Sequence, residues 1–214
     1  MEKLNKDLLE NWLNDIQKII FDINITVDNL NRLTAPESDF EKQILEHDFF
    51  GQYCKQSWFT SIVQLSKLYT DSKTQKRNLF KFFNILENLK YDDLLLDELE
   101  NNRNSSNQNL YFSKDDVLDS TEELRKKIAE KIAIIECVFF LRDKVYAHSD
   151  IDPDLPSVSV KDLTEIRDLS ILIYNTISVG FLNTSFPFSI DADSSVDYPI
   201  KELVKQLEER EEKS

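Results

Sequence analysis

The chain has 214 residues, a formal net charge of −14 and only two glycines, and this length fits one domain with a hydrophobic core. The scarcity of glycine excludes Rossmann and P-loop phosphate sites, because their loops need several glycines where the backbone approaches a phosphate at positive φ. The acidic balance argues against a broad nucleic-acid-binding surface, since such binding usually begins with neutralisation of phosphates, but it leaves room for a small basic cleft.

Apolar residues at three- and four-residue steps predict a series of amphipathic helices. The first helix ends before Pro36, because proline cannot continue a helix. Asp92 or Asp93 is suited to cap a short helix, and a surface loop rich in Asn and Ser is expected at 101–119. The predicted helices cover about 3–33, 48–69, 75–90, a short stretch from 92 to 99, 121–147, 160–183 and 198–212.

The helix predicted at 121–147 is the centre of the expected fold. Ser120 and Glu123 have the spacing of a capping box, which predicts that this helix begins after Ser120. The stretch Ile132–Leu141 is apolar nearly all round, so it should be surrounded by other helices. No strand pattern and no repeat is convincing. The sequence therefore predicts an all-α fold, a single-domain helical bundle of five to six helices around this central buried helix.

Few residues of this chain could hold a metal or take part in redox chemistry. No CxxC spacing for zinc is present, and Cys54 and Cys137 are expected to be reduced thiols in the core. His47 lies among acidic residues near a predicted helix start, where a surface or capping role is expected. We therefore expect no metal and no cofactor. The aromatic residues at helical spacing are expected in the core, among them Phe139 and Phe140.

The ends of the chain bear on where the protein acts. The N-terminal residues lack the apolar segment of a secretory signal. The longest apolar stretch is shorter than the roughly 20 residues that span a bilayer. The sequence thus predicts a cytoplasmic protein with no membrane partner, and its charged last residues are expected to form a solvated tail.

Residues 141–150 concentrate arginine, aspartate, lysine and histidine at the end of the predicted central helix. One interpretation is structural, since cations at a helix C-terminus bond the last carbonyls and stabilise the helix dipole. The side chains also offer chemistry, because histidine is the residue type suited to proton transfer near neutral pH, which makes His148 a candidate, and Arg142 has a planar fork of donors suited to phosphate. Six residues of straight helix rise about 9 Å and turn to another side. The two side chains can therefore meet one phosphate only if the chain bends between them or if a second copy supplies the partner across a two-fold interface.

The segment Leu-Arg-Asp-Lys-Val-Tyr-Ala-His-Ser-Asp at 141–150 resembles the motif of the HEPN superfamily (higher eukaryotes and prokaryotes nucleotide-binding). In that motif an arginine is followed directly by a polar residue, and four to six positions in all separate the arginine from a histidine. The segment is similar to the AbiU-type branch, linked to abortive infection, and the flanks at 57–71 and 158–163 are similar too. The resemblance covers most of 1–184, which is interpreted as a HEPN-like helical bundle, and 185–214 adds a loop and a charged helix to the same domain.

This resemblance implies a metal-independent endoribonuclease. His148 would deprotonate or orient a ribose 2′-OH, and Arg142 would stabilise charge on the pentavalent phosphate. The products would be a 2′,3′-cyclic phosphate and a 5′-hydroxyl. Asp143 would orient Arg142 or the RNA. The other supporting positions are Lys144 and Tyr146 as substrate contacts, and Asp150 as a hydrogen-bond partner of His148 or a cap of the next turn.

The resemblance also implies partners and a biological role. RNA would be the substrate, a second copy would form a homodimer, and an antitoxin would be encoded nearby, in prokaryotic defence or a toxin–antitoxin pair. Asp150 stands where some HEPN toxins carry a tyrosine that a partner nucleotidyltransferase modifies, so silencing by that route is not expected. The alternative is a non-catalytic interaction or nucleotide-binding module of the same fold, which the net charge of −14 favours.

Overall fold

A computed structural model of the chain describes residues 3–71, 75–103, 105, 107, 109–146, 157–189, 195–211 and 213, with the backbone alone at 144–146. Helices dominate these residues, and the all-α prediction is confirmed. In chain order the elements are β1 (Lys3–Leu4), α1 (Lys6–Thr34), α2 (Asp39–Leu45), α3 (Asp48–Tyr69), α4 (Leu79–Asn88), β2 (Lys90–Tyr91), α5 (Asp93–Asn102), α6 (Lys114–Glu130), α7 (Ile132–Phe140), a π-helix (Leu141–Tyr146), α8 (Val160–Leu182) and α9 (Asp197–Glu211).

The central helix of the bundle is α1. Its apolar residues recur at three- and four-residue steps, and eleven of its residues are buried, which places it between α3 and α8. Asn5 caps its N-terminus by accepting a hydrogen bond from the Leu8 backbone N–H at 2.8 Å. A bundle around a central buried helix is therefore confirmed, but that helix is the first one of the chain, and the described residues form nine α-helices where five to six were predicted.

The helix predicted to be central is divided into two. Ser113 caps α6 by accepting a hydrogen bond from the Asp116 N–H, so the helix begins earlier than the spacing of Ser120 and Glu123 predicts. Ser120 instead lies inside α6, where its hydroxyl is 2.7 Å from that of Tyr111. The helix then breaks at Lys131, whose φ of −107° and ψ of 10° leave the helical region.

The apolar helix α7 is only partly covered. It packs against α3, α6 and α8, and its buried residues are Ile135 and Val138. Ile132 and Phe140 are 45% and 37% exposed. The expectation that other helices surround this segment is therefore wrong for the described part of the chain, and so is the core position expected for Phe140. An apolar sequence shows that burial is favourable, but it does not show that the chain itself supplies the cover.

Two small elements are present that the sequence pattern does not indicate. The helix α2 has seven residues, which is too short for a clear period. The strands β1 and β2 pair in parallel, Lys3 with Lys90 and Leu4 with Tyr91, and they fix the start of the chain beside α5. Of the two caps predicted for α5, Asp92 is the one that caps it, and Asp93 is its first residue. Ser159 opens α8 in a capping box with Asp162.

A smaller hydrophobic cluster lies beside the main core. It joins the end of α1 to α2, the start of α3 and α9, through Leu33, Ile44, Phe50, Val196 and Ile200. None of the described helices is both long and apolar enough to cross a membrane.

Candidate active site

The backbone changes its winding where the sequence places the candidate motif. Regular α-helix ends at Phe140, and Leu141–Tyr146 form a π-helix that packs against α3. A π-helix has i→i+5 hydrogen bonds, is rare, and occurs frequently at functional sites. The straight-helix geometry that separates Arg142 from His148 therefore does not apply between 141 and 146, because each turn there holds more residues.

Arg142 is held on two sides at the start of this π-helix. Its Nε donates a hydrogen bond to Asp143 Oδ1 at 2.6 Å, and its guanidinium carbon lies 5.6 Å from the centre of the Phe139 ring. These contacts combine a charge-assisted hydrogen bond with a cation–π interaction. The Arg142 side chain is 34% exposed, so the guanidinium is both oriented and open to solvent.

The hydrogen bond to Asp143 uses only the Nε of the Arg142 guanidinium. Within the described part of the chain, the two terminal Nη nitrogens of Arg142 make no hydrogen bond. A guanidinium offers its Nη1–Nη2 end as a fork that fits two oxygens of one phosphate. Asp143 thus occupies the Nε side of the guanidinium, and no described residue occupies its Nη1–Nη2 end.

The remaining predicted site residues are described in part or not at all. Lys144 and Tyr146 are placed by backbone on the π-helix. His148 and Asp150 lie outside the described residues. The approach of an imidazole to the Arg142 guanidinium, and the substrate contacts expected for Lys144 and Tyr146, therefore stay predictions.

Comparison with known families shows to which family this chain belongs. The model of the AbiU2 family of HEPN domains matches residues 6–198, which is most of the chain. The protein belongs to the AbiU2 family. The match runs from the start of α1 to the first residues of α9, and it includes the whole segment 141–150. Neither the curated proteins nor the solved structures give a significant match.

Membership of the AbiU2 family makes this an abortive-infection HEPN domain. Sequence reasoning missed the contribution of Phe139, which it assigned to the core. The ring is only partly buried and faces the guanidinium. An aromatic residue three positions before an arginine on one helical face is a signal for this contact, but it equally fits ordinary core packing.

The other histidine of this AbiU2-family protein has a structural role, as predicted. His47 caps α3, with Nδ1 accepting a hydrogen bond from the Phe49 N–H at 3.2 Å. Cys54 and Cys137 are free and partly buried, and burial raises the pKa of the Cys54 thiol. Among the residues whose positions are described, no group of three His, Cys, Asp or Glu could hold a metal ion.

Proposed function

We propose that this AbiU2-family protein is a metal-independent endoribonuclease that acts in prokaryotic defence, or as a toxin, in the cytoplasm. The observation that carries the proposal is the state of Arg142. Its guanidinium is oriented by Asp143 and Phe139 and makes no Nη hydrogen bond to the described residues, and the side chain as a whole is 34% exposed. In an arginine that only stabilised a helix end, these Nη groups would donate hydrogen bonds to the last carbonyl oxygens of the helix.

The proposed reaction needs one base and one charge stabiliser. His148 accepts the proton of a ribose 2′-OH, the 2′ oxygen attacks the adjacent phosphorus, and the bond from phosphorus to the 5′ oxygen breaks. The leaving 5′ oxygen takes up a proton. Arg142 stabilises the charge that builds on the non-bridging oxygens. The products are a 2′,3′-cyclic phosphate and a 5′-hydroxyl, and no metal is required.

The exposed face of α7 supports a homodimer around this site. Ile132, Glu136 and Phe140 follow one another at four-residue steps and therefore share one face of the helix. All three are exposed. A two-fold contact that covers the two apolar members would bring two π-helices together, each with its own Arg142 and His148. Such a pair would raise the local positive charge in a chain that is otherwise acidic.

A second candidate function is a non-catalytic interaction module of the same fold. Two observations favour it, namely the net charge of −14 and the pairing of Arg142 with an acidic neighbour. In this case RNA would be repelled on average. A protein partner such as an antitoxin would then be the ligand of the fold.

The two functions are separated by incubating the purified protein with structured RNA in EDTA, beside His148→Ala. The nuclease cleaves in EDTA, leaves cyclic phosphate ends and is inactive in the variant. Cleavage that EDTA abolishes, or that His148→Ala retains, would refute the proposed mechanism. No cleavage by the wild type under any condition would favour the interaction module.

A further inference from the structure

An open groove lies on the side of the molecule formed by α2, the start of α3 and α9. Its volume is about 630 Å³, within the range of roughly 300–1,000 Å³ typical of small-molecule sites. Six of the ten described residues that line it are apolar. Two of these, Phe49 and Leu203, are 63% and 39% exposed. The groove therefore has apolar surface that no described part of the chain covers.

The polar part of the lining has no negative charge. Its four described residues are Gln43, His47, Gln206 and Arg210. The chain as a whole has 40 acidic and 26 basic residues, so a lining with a guanidinium and no carboxylate differs from the average surface. Two nearby carboxylates, Glu41 and Asp197, already accept hydrogen bonds from Arg32. The groups that remain for a ligand are thus mainly apolar side chains and N–H donors.

His47 contributes one of these donors. Its Nδ1 accepts a hydrogen bond from the Phe49 backbone N–H at 3.2 Å. A ring nitrogen that accepts a hydrogen bond has no proton, so the neutral imidazole carries its proton on Nε2. No described residue accepts a hydrogen bond from that Nε2. The imidazole, the Arg210 guanidinium and the two carboxamides together offer N–H donors of the kind that a carboxylate accepts.

We propose that this groove binds a small amphiphile with an apolar chain and one carboxylate head. The chain packs on Phe49 and Leu203. The carboxylate accepts hydrogen bonds from Arg210, whose planar fork of donors fits two oxygens. A cationic head would meet a guanidinium and no carboxylate among the described lining residues, so like charges disfavour it.

A free molecule is favoured over the surface of an anionic bilayer. Charges in solution at physiological salt act over a Debye length of about 8 Å, so a single carboxylate in the groove interacts mainly with the groups of the lining. A bilayer surface would extend beyond the groove and would meet the other faces of a chain whose net charge is −14. This inference does not depend on the proposed nuclease activity.

The test uses three probes that share a decyl chain and differ in the head group. Decanoate has a carboxylate, decanol is neutral and decyltrimethylammonium is cationic, and each is used below the concentration at which it aggregates. Isothermal titration calorimetry compares the wild type with Arg210→Gln and Leu203→Gln. Arg103→Gln and Leu172→Gln are matched controls. Arg103 is exposed after α5, Leu172 is 45% exposed on α8, and neither lines the groove.

The proposal predicts saturable binding of decanoate, with lower affinity for decanol and the lowest for the ammonium compound. Arg210→Gln weakens the binding of decanoate about tenfold, as expected for the loss of a hydrogen bond between charged groups, and leaves decanol unchanged. Leu203→Gln weakens both, and the two control variants bind like the wild type.

Three results would overturn the proposal. One is that decanoate does not bind saturably, or binds no more tightly than the other two probes. Another is that Arg210→Gln binds decanoate like the wild type. The third is a wild-type dimer that Leu203→Gln dissociates in light scattering, because a second copy would then occupy the groove.

Discussion

Arg32 joins α1 to α2 by a two-point hydrogen bond with Glu41, in which Nη1 lies 2.9 Å from Oε2 and Nη2 lies 2.5 Å from Oε1. The two side chains are 13% and 7% exposed. Arg32 Nε also donates to Asp197 Oδ1 at 2.6 Å. A single guanidinium therefore connects the central helix, α2 and α9.

Removing this guanidinium should destabilise the protein strongly. Arg32→Met leaves Glu41 buried without its partner, and we expect the free energy of unfolding to fall by about 3 kcal/mol. Arg32→Met combined with Glu41→Leu should recover most of the loss, because the buried charge is then gone. The measurement is urea unfolding. As a control, Lys18→Met breaks the exposed pair with Asp15 and should change the free energy of unfolding by less than about 0.5 kcal/mol. An equal effect of Arg32→Met and Lys18→Met would show that the buried pair contributes no more stability than the exposed one.

The same cluster should govern stability in acid. The hydrogen bond from Arg32 lowers the pKa of Glu41. The pKa of Asp197 is lowered mainly by its hydrogen bond with Lys201 and, to a smaller extent, by its hydrogen bond with Arg32. Both pKa values are lower in the folded state than in the unfolded state. The two carboxylates therefore contribute their full stabilisation at pH values above the unfolded-state pKa values of about 4. It is lost as the pH falls through the folded values. Urea unfolding between about pH 7 and 3 should show this decline, and Arg32→Met should show a shallower one. Parallel curves would contradict the assignment.

Gly180 should tolerate no side chain. A Cβ on Gly180 would overlap the ring of Tyr111. That ring cannot easily move, since the Tyr111 N–H donates to the Gly180 carbonyl at 2.8 Å and its hydroxyl pairs with Ser120. We expect Gly180→Ala to lower the free energy of unfolding by about 2 kcal/mol. Gly51→Ala is the matched control, because a Cβ there has no neighbour within 4 Å and should stabilise α3 by about 0.5 kcal/mol. Similar thermal melts for the two variants would refute the packing argument.

The exposed face of α7 should control assembly. If the proposed homodimer is correct, Ile132→Lys places two charges in the contact and yields a monomer in size-exclusion chromatography with light scattering. Leu94→Lys is the control, because Leu94 is 75% exposed on α5, away from that face. A wild type that is monomeric, or a dimer that persists in Ile132→Lys, would exclude this interface.

Local signals in the sequence predicted much of the fold. The cap at Asp92, one of two candidates, and the apolar period of α1 gave correct helices, because each depends on residues close in the chain. The start of α6 was not predicted, since Ser113 and Ser120 are equally good caps as sequence and only the contact with Tyr111 separates them. The partial exposure of α7 depends on long-range packing, which the apolar pattern does not contain.

The candidate site also combines features that depend on residues close in the chain with features that depend on the three-dimensional structure. Arg142 and Asp143 are predicted as site residues from the spacing of one motif, which is a local signal, and this assignment stays a prediction. The π-helix and the contact with Phe139 were not found, because i→i+5 winding has no clear sequence pattern and Phe139 looks like a core residue. The approach of His148 to the guanidinium depends on residues beyond those described and stays a prediction.

The central claim is that the Arg142 guanidinium stabilises the charged phosphate during RNA cleavage. Its most direct test is the single-turnover rate of RNA cleavage in EDTA by the wild type, Arg142→Ala and Arg103→Ala. The control removes one positive charge from an exposed position after α5. Arg142→Ala should lower the rate by a factor of about 100 or more with an unchanged melting temperature, and Arg103→Ala should cleave like the wild type. Equal rates for the two variants, or a collapsed melt for Arg142→Ala, would contradict it.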